Sequence, residues 1–416
     1  MRFTLVSTFY PPHAFGGDAV HVHQLAAGLA RRGHRVRVVH NSSAFRALGG
    51  TNPMEGFAEV AGVETVDLSI GRAAMVGTYL ASRPLGYTSQ LEAAMRDADI
   101  VHFHNPSLLG GVGGTLRTPA LRAYTAHEHW LLCPMHTLFR NEQEVCTRRT
   151  CLSCCASYHR PPQPWRWSHL LDRAVEGLDV IMCPSRFTAR LHRDRFPHAA
   201  IEVIRPPGPR SAERQREGSG RTDNLVDRPP FVLFAGRLQP IKGARWLAEA
   251  LSAQSDLDTV FVGDGPERDA LVRIARSSPR IVVLGQKSHD EVLRLCAAAQ
   301  AVVVPSVGYE TFGSVGREAL SVGTPILVRN LGPLPELIEQ GGGASFADAD
   351  ELRALVSRIA HDAAWYQSLR DTVPRSAHDD DDRFFGEYFG ALAAAARRRG
   401  DVALAHALDS TREAAQ

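Results

Sequence analysis

Between Pro305 and Glu318 the chain reads Pro-Ser-Val-Gly-Tyr-Glu-Thr-Phe-Gly-Ser-Val-Gly-Arg-Glu, with the carboxylates Glu310 and Glu318 on either side of a glycine-bearing turn. The apolar run Ala301 to Val304 precedes it and a helical pattern starts near Gly313, so the stretch predicts strand, turn and helix. The first turn of such a helix carries backbone N–H groups without intrahelical acceptors and the positive end of the dipole, a setting that suits phosphate. Glu310 then sits at the mouth, and Glu318, about one turn inside the helix, reaches a hydroxyl group of the same ligand. A sugar joined to a nucleotide through phosphates meets both demands. The competing reading is a glutamate that only complements the helix dipole.

Other residues add to this chemistry. Arg237 and Lys242 follow the apolar run Phe231 to Ala235, flanked by Gly236 and Gly243, at the same sheet edge as Glu310. Two cations there neutralise a diphosphate, whereas isolated ones are ordinary solvated charges. His127, in His127-Glu128-His129 after a strand ending near Thr125, suits a hydrogen-bond partner or proton carrier. His102 and His104 flank another strand end; for all of them a histidine bonded into its own loop is the alternative. Gly16-Gly17 after the first strand can approach a phosphate or sugar closely, or be only a turn.

Five of the seven cysteines fall between Cys133 and Cys155. The two-residue spacing of Cys151 and Cys154 lets both sulfurs bind one metal, with Cys133 and Cys146 as the second pair of a closed structural zinc site. An iron–sulfur cluster, a reduced metal-free loop, and His136, His159 or Cys155 as substitute ligands stay open.

These groups need elements to position them. At 416 residues the chain exceeds one ordinary core, so two α/β domains are expected. Strands at Phe3 to Ser7, Val36 to Val39, Ile100 to Phe103, Pro119 to Tyr124, Val180 to Met182 and Ile201 to Ile204 alternate with helices in a first domain, 1–208. It carries a Cys-rich insertion, 130–167. A charged stretch poor in large apolar residues, 209–229, reads as a linker. Strands at Phe231 to Ala235, Thr259 to Val262, Ile281 to Leu284, Ala301 to Val304 and Pro325 to Val328 build a second doubly wound domain, 230–383. Residues 384–416 form an amphipathic helix, with Ala403 to Gln416 expected as a loosely held tail.

Hydrophobic content of 44%, charged content of 22% and a formal charge of +2 describe a globular chain without the strong basic balance of a nucleic-acid binder. No apolar run approaches the roughly 18 residues of a transmembrane helix, and Met1 to Ser7 is too short in its apolar part for a signal peptide. A cytoplasmic protein is expected, with peripheral association at the inner membrane face left open.

Taken jointly, Gly16-Gly17 with the helix ending Arg-Gly-His-Arg-Val, His127, Gly236-Arg237 with Lys242-Gly243, Gly263-Asp264-Gly265-Pro266, and Glu310 with Glu318 after seven intervening residues resemble the retaining family 4 glycosyltransferases. The resemblance implies the GT-B fold: two Rossmann-like α/β domains facing a cleft, the C-terminal one for a UDP- or GDP-sugar and the N-terminal one for the acceptor. It implies that Arg237 and Lys242 hold the diphosphate, Glu310 the donor sugar and Glu318 the ribose. Phe312 and Gly313 offer backbone N–H groups beside Thr311; Gly16, Gly17, Gly236 and Gly263 complete the donor surroundings, and His127 contacts the transferred sugar. It implies transfer to a glycan, lipid-linked or small-molecule acceptor with no metal cofactor for catalysis, and a last helix crossing back to the N-terminal domain. One departure is Gly332-Pro333-Leu334-Pro335-Glu336, where the family has Gly-Gly-x-Pro-Glu. A sugar-nucleotide 2-epimerase and a non-catalytic sugar-nucleotide-binding protein share the fold and stand as alternatives.

Overall fold

Buried strands with β-branched runs, separated by helix-length segments, are realised as two all-parallel sheets. The computed structural model describes residues 1–413 apart from 52, 55, 56, 58, 111–115, 208–228, 253–255 and 375–378. The expected linker 209–229 lies outside the described residues except for its last position. The chain divides into one unit of Met1–His136, Cys151–Pro206 and Asp382–Gln416 and a second of Thr137–Thr150 and Pro207–Asp381. The Cys-rich segment expected as one insertion, 130–167, is thus shared between the two.

In chain order the strands up to residue 203 are β1 (Arg2–Ser7), β2 (Arg35–His40), β3 (Val63–Asp67), β4 (Ile100–Asn105), β5 (Leu121–Thr125), β6 (Phe139–Arg140), β7 (Glu144–Val145), β8 (Val180–Cys183) and β9 (Ile201–Val203). β6 and β7 form an antiparallel hairpin that groups with the second unit. The others make a seven-stranded sheet in the order β3-β2-β1-β4-β5-β8-β9. Both faces are covered. Phe3, Leu5, Val36, Val38, Ile100 and Leu121 point into one apolar cluster and Val6, Val39, Val101, Phe103 and Tyr124 into another, as the two-residue period of a doubly covered strand requires.

The first of these clusters is closed by the helix Gly17–Arg31 and the C-terminal helices Asp379–Arg398 and Val402–Glu413. Phe384, Phe385, Tyr388, Phe389 and Leu392 recur at helical spacing and are buried on the first unit. The segment expected as a loose tail is instead helical as far as Glu413, where the described residues end, with Ala405 and Leu408 buried in the same core.

The second unit adds β10 (Phe231–Ala235), β11 (Asp258–Val262), β12 (Ile281–Gly285), β13 (Ala301–Val304), β14 (Ile326–Arg329) and β15 (Gly343–Phe346), ordered β12-β11-β10-β13-β14-β15. β15 was not expected: Gly343-Ala-Ser-Phe has no apolar run, and the strand forms through parallel pairing with β14. Val232, Phe234, Ala301 and Val303 face one cluster, and Leu233, Ala235, Val302 and Val304 the other.

One contact tests the C-terminal closure. A Cβ at Gly28 would lie 2.2 Å from Cζ of Phe385, whose ring is also covered by the Arg32 guanidinium 3.8 Å above its centre. Alanine in place of glycine inside a helix normally stabilises by about 0.5–1 kcal/mol, but overpacking a filled core costs about 1–3 kcal/mol. Gly28→Ala is therefore expected to lower stability by about 1–2 kcal/mol in urea unfolding. Combined with Phe385→Leu, it should cost less than the sum of the two single changes. Additive losses would show that the two elements do not meet there.

Candidate functional site

In an open α/β sheet the crevice beyond the carboxyl ends of the strands opens where the strand order reverses. In the second unit that point lies between β10 and β13, whose following loops carry Gly236 to Gly243 and Pro305 to Gly313. The two loops are fastened together. Val307 and Gly308 donate their N–H groups to the Ile241 carbonyl at 2.9 and 3.4 Å. Gly243, at φ 71°, passes so close that a Cβ would sit 2.4 Å from the Pro305 carbonyl oxygen. Gly263, at φ 137° after β11, is packed on the backbone of Gly236, with 1.8 Å between a hypothetical Cβ and that carbonyl oxygen.

This fastening delivers Lys242 to Glu310. Its ammonium donates to both carboxylate oxygens, at 2.7 and 2.8 Å, and the Ser306 hydroxyl donates to Oε1 at 2.6 Å. The Glu310 side chain is 15% exposed and that of Lys242 29%. Burial pushes the Glu310 carboxyl up, but Lys242, the Ser306 hydroxyl and the nearby Arg237 charge outweigh it and hold the group below the usual carboxylate range. An ammonium has three donors, so Lys242 can keep Glu310 and still give a hydrogen bond to a phosphate oxygen. Arg237 is exposed at the same edge.

Beyond the turn, Gly313 caps the helix Ser314–Ser321 at φ 93°, with Phe312 buried and Thr311 partly buried before it. The helix start thus stands on the same loop as Glu310. Glu318 is partly buried one turn in, and burial pushes its carboxyl up to about 7. The departing segment Gly332 to Glu336 continues as a short helical turn, Leu334–Ile338, whose buried Leu334 lies against Gly313.

The remaining expected residues lie on the first unit, whose strand order reverses between β1 and β4. Gly16, the N-cap of Gly17–Arg31, has extended backbone at φ −169°, and a Cβ at Gly17 meets nothing within 4 Å, so neither position demands glycine sterically. His127 follows β5 and belongs to a histidine cluster. His104 Nδ1 and His127 Nε2 are 2.9 Å apart, His102 Nε2 and the Thr125 hydroxyl 2.8 Å, and His102 Nδ1 and the Tyr388 hydroxyl 3.0 Å. The His21 ring lies 4.8 Å from that of His127. Burial pushes His102 and His127 down to about 3, and His21 and His104 well below the ordinary imidazole range. The four rings are neutral at neutral pH, able to donate and accept hydrogen bonds.

His21, Ser306 and Tyr388 escaped the sequence reading. A signal existed for two of them. His102 and His104 share one strand face by their spacing, the face that the Gly17–Arg31 helix covers, and Tyr388 lies on the apolar stripe of the last long helix. Ser306 carried no signal beyond its place in the loop.

The cysteines are all free thiols; Cys133, Cys154 and Cys155 are buried and Cys146 and Cys151 partly so. Cys133, Cys151 and Cys154 belong to the first unit, whereas Cys146 lies in Thr137–Thr150, grouped with the second. Among the described residues, the side chains whose ligating atoms converge within 4.8 Å are His21, His104 and His127; the four cysteines do not form such a group.

A family model described as Glycosyltransferase Family 4 matches residues 15–208, and one described as Glycosyl transferases group 1 matches residues 229–362. Glycogen synthase of Mycobacterium tuberculosis is 28% identical over 400 residues, covering 88% of this chain and 87% of that protein. Among solved structures, sucrose-phosphate synthase from Thermosynechococcus elongatus superposes with a TM-score of 0.63 at 19% identity, over 96% of this chain and 98% of that one. HepE of Anabaena in complex with UDP-glucose gives 0.58 at 17% identity over the full length of both. At these identities the structural likeness is one of fold.

The fastened loops make a stability prediction. Lys242→Met leaves the Glu310 carboxylate with the Ser306 hydroxyl but without its cation, and a poorly compensated buried group costs about 1–3 kcal/mol. Ionised Glu310 stabilises the wild type above the ordinary carboxylate range, and that contribution is lost as pH falls through its lowered value. In the variant that contribution is smaller, so the stability lost relative to wild type should be greatest near neutral pH and narrow as pH falls through the carboxylate range, read as a shallower acid limb in urea unfolding across pH. An unchanged limb would show that the pair contributes nothing to the fold.

Proposed function

The chain belongs to the family 4 glycosyltransferases and has their GT-B fold, and from that premise we propose that it moves a sugar from a nucleotide diphosphate sugar, with a UDP- or GDP-linked donor, to an acceptor with retention of anomeric configuration. The observation that carries this reading is the assembly of Lys242, Glu310, Arg237 and a glycine-capped helix start on two fastened loops at the strand-order reversal of the second unit. In it, Lys242 and Arg237 take the diphosphate, Glu310 the hydroxyls of the donor sugar and Glu318 the ribose. Thr311, Phe312 and Gly313 line the helix start, Gly236 and Gly263 keep the floor free of side chains, and His127 acts on the transferred sugar.

The leaving group of such a transfer is a diphosphate, and fixed cations aimed at its developing charge lower the barrier without a divalent ion. Retention follows if the acceptor attacks from the face the diphosphate leaves, the departing phosphate oxygen taking the acceptor's proton. The relative HepE was solved with UDP-glucose, which supports a uridine donor as the first to test. No described helix is long and apolar enough to cross a membrane; seating at the inner membrane face would bring the protein to a lipid-linked acceptor.

A thermal-shift panel of sugar nucleotides identifies the donor, because a ligand that binds only the native state raises its apparent stability. With that donor, Lys242→Ala and Arg237→Ala are each expected to lower kcat about 10²–10³-fold, the scale of losing one electrostatic contact to the transition state. Turnover should survive chelation of divalent ions, and the product's anomeric proton coupling should match that of the donor. Wild-type turnover in both variants would refute the site.

Glu318 gives a pH dependence. Its carboxyl titrates near 7 in the free protein, and the carboxylate, the better acceptor for ribose hydroxyls, predominates above that value. Donor affinity should weaken as pH falls below about 7 and the dependence should vanish in Glu318→Gln, read by calorimetric titration across pH. A pH-independent wild-type affinity would remove Glu318 from the ribose site.

A further inference from the structure

We propose that His21, His104 and His127 form a three-imidazole site for a borderline transition-metal ion, zinc being the natural occupant, and that a metal there withholds His127 from sugar transfer. The second half rests on the role given to His127 above; the first does not.

Three elements of the first unit bring the rings together. His21 comes from the helix Gly17–Arg31, His104 from the end of β4, and His127 from two residues beyond β5. Each offers one ring nitrogen, and the three nitrogens lie within 4.8 Å of one another. Zinc bound by imidazoles at about 2.0–2.1 Å in a tetrahedron needs its ligand atoms roughly 3.3–3.5 Å apart. The facing pair His104 Nδ1 and His127 Nε2, at 2.9 Å, is already closer than that, and His21 must close by only about 1–1.5 Å to reach the same spacing.

A second observation concerns which tautomer His104 can adopt. His104 Nε2 is buried without a hydrogen-bond partner among the described residues. No contact with that nitrogen fixes which one carries the proton. The hydrogen bond between His104 and His127 holds one proton between two ring nitrogens. A metal can replace it if the proton moves to the other nitrogen of its own ring, with no change in the charge of the imidazoles. His102, by contrast, has both nitrogens occupied, by Tyr388 and Thr125, and serves as the wall behind His104, its ring 4.0 Å away. His21 and His127 are only partly buried, which gives an ion access and leaves the fourth position to water. Three histidines with one open position are a donor set that zinc accepts.

The test uses the full-length protein, treated with chelator and titrated with Co²⁺. The expected result is one equivalent with visible ligand-field bands, and without the near-ultraviolet sulfur-to-cobalt band that any ion on the cysteines would show. His21→Ala and His104→Ala should each weaken that binding at least tenfold. Because either variant can fail to fold, X-ray absorption of the zinc-loaded wild type is the companion measurement, with a first shell of nitrogen and oxygen expected. A purely sulfur shell, or cobalt binding indifferent to both substitutions in folded protein, would overturn the site and leave the transferase reading untouched. Added zinc should inhibit transfer over the range in which it binds. If zinc binds through these histidines and transfer proceeds unchanged, the site stands and the role of His127 falls.

Discussion

The Lys242–Glu310 pair is the interaction on which the second unit's site depends. A carboxylate this poorly exposed is costly in isolation, and an ammonium beside it offsets the cost only if the backbone holds the two in register. That register comes from the Ile241 carbonyl, which receives two N–H groups from the opposing loop, and from Gly243, which lets the loops pass at a distance no side chain allows. The ion pair is thus a product of the sheet's strand order. β10 and β13 are sequence-distant neighbours across the reversal point, and the loops that follow them are hydrogen-bonded directly to each other.

The same arrangement leaves Lys242 one donor beyond the two it gives Glu310. With two of its three donors on Glu310, Lys242 is held in place by the carboxylate, so in the proposed function a diphosphate would meet a fixed charge rather than a solvated, mobile one. Preorganisation of this kind gives a fixed charge its catalytic value. The first unit makes a different use of burial. Four neutral imidazoles, a tyrosine and a threonine are linked through the face that the C-terminal helices close, so Tyr388 of the last long helix participates in placing His102 of β4.

Much of this was legible in the residues themselves. The carboxylates at 310 and 318, the cations at 237 and 242, and glycines at 236, 243, 263 and 313 mark the strand-turn-helix junctions of the second unit, because charge and positive-φ glycine gather where a buried strand gives way to a helix. Two α/β domains follow from length and alternation. What was misread or missed has physical reasons. β15 has no apolar run and exists by pairing with β14; the final helix was expected as a loosely held tail, and what holds it is the docking of Leu404, Ala405 and Leu408 on the first unit's core. Pairing and docking are properties of the partner surface, which local patterns do not contain.

The sequence by itself determined the inventory: which side chains can bind phosphate, which glycines permit close backbone approach, and which runs must be buried strands. Tertiary structure alone decided how they combine. It joined Lys242 to Glu310 across 68 positions of chain, added Ser306, and left Gly16 and Gly17 without a steric need for glycine. It also collected His21, His104 and His127 while leaving the four cysteines outside any comparable group. Chemical type is a local property and can be read residue by residue. Proximity between distant segments depends on strand order and packing, which only the folded chain fixes.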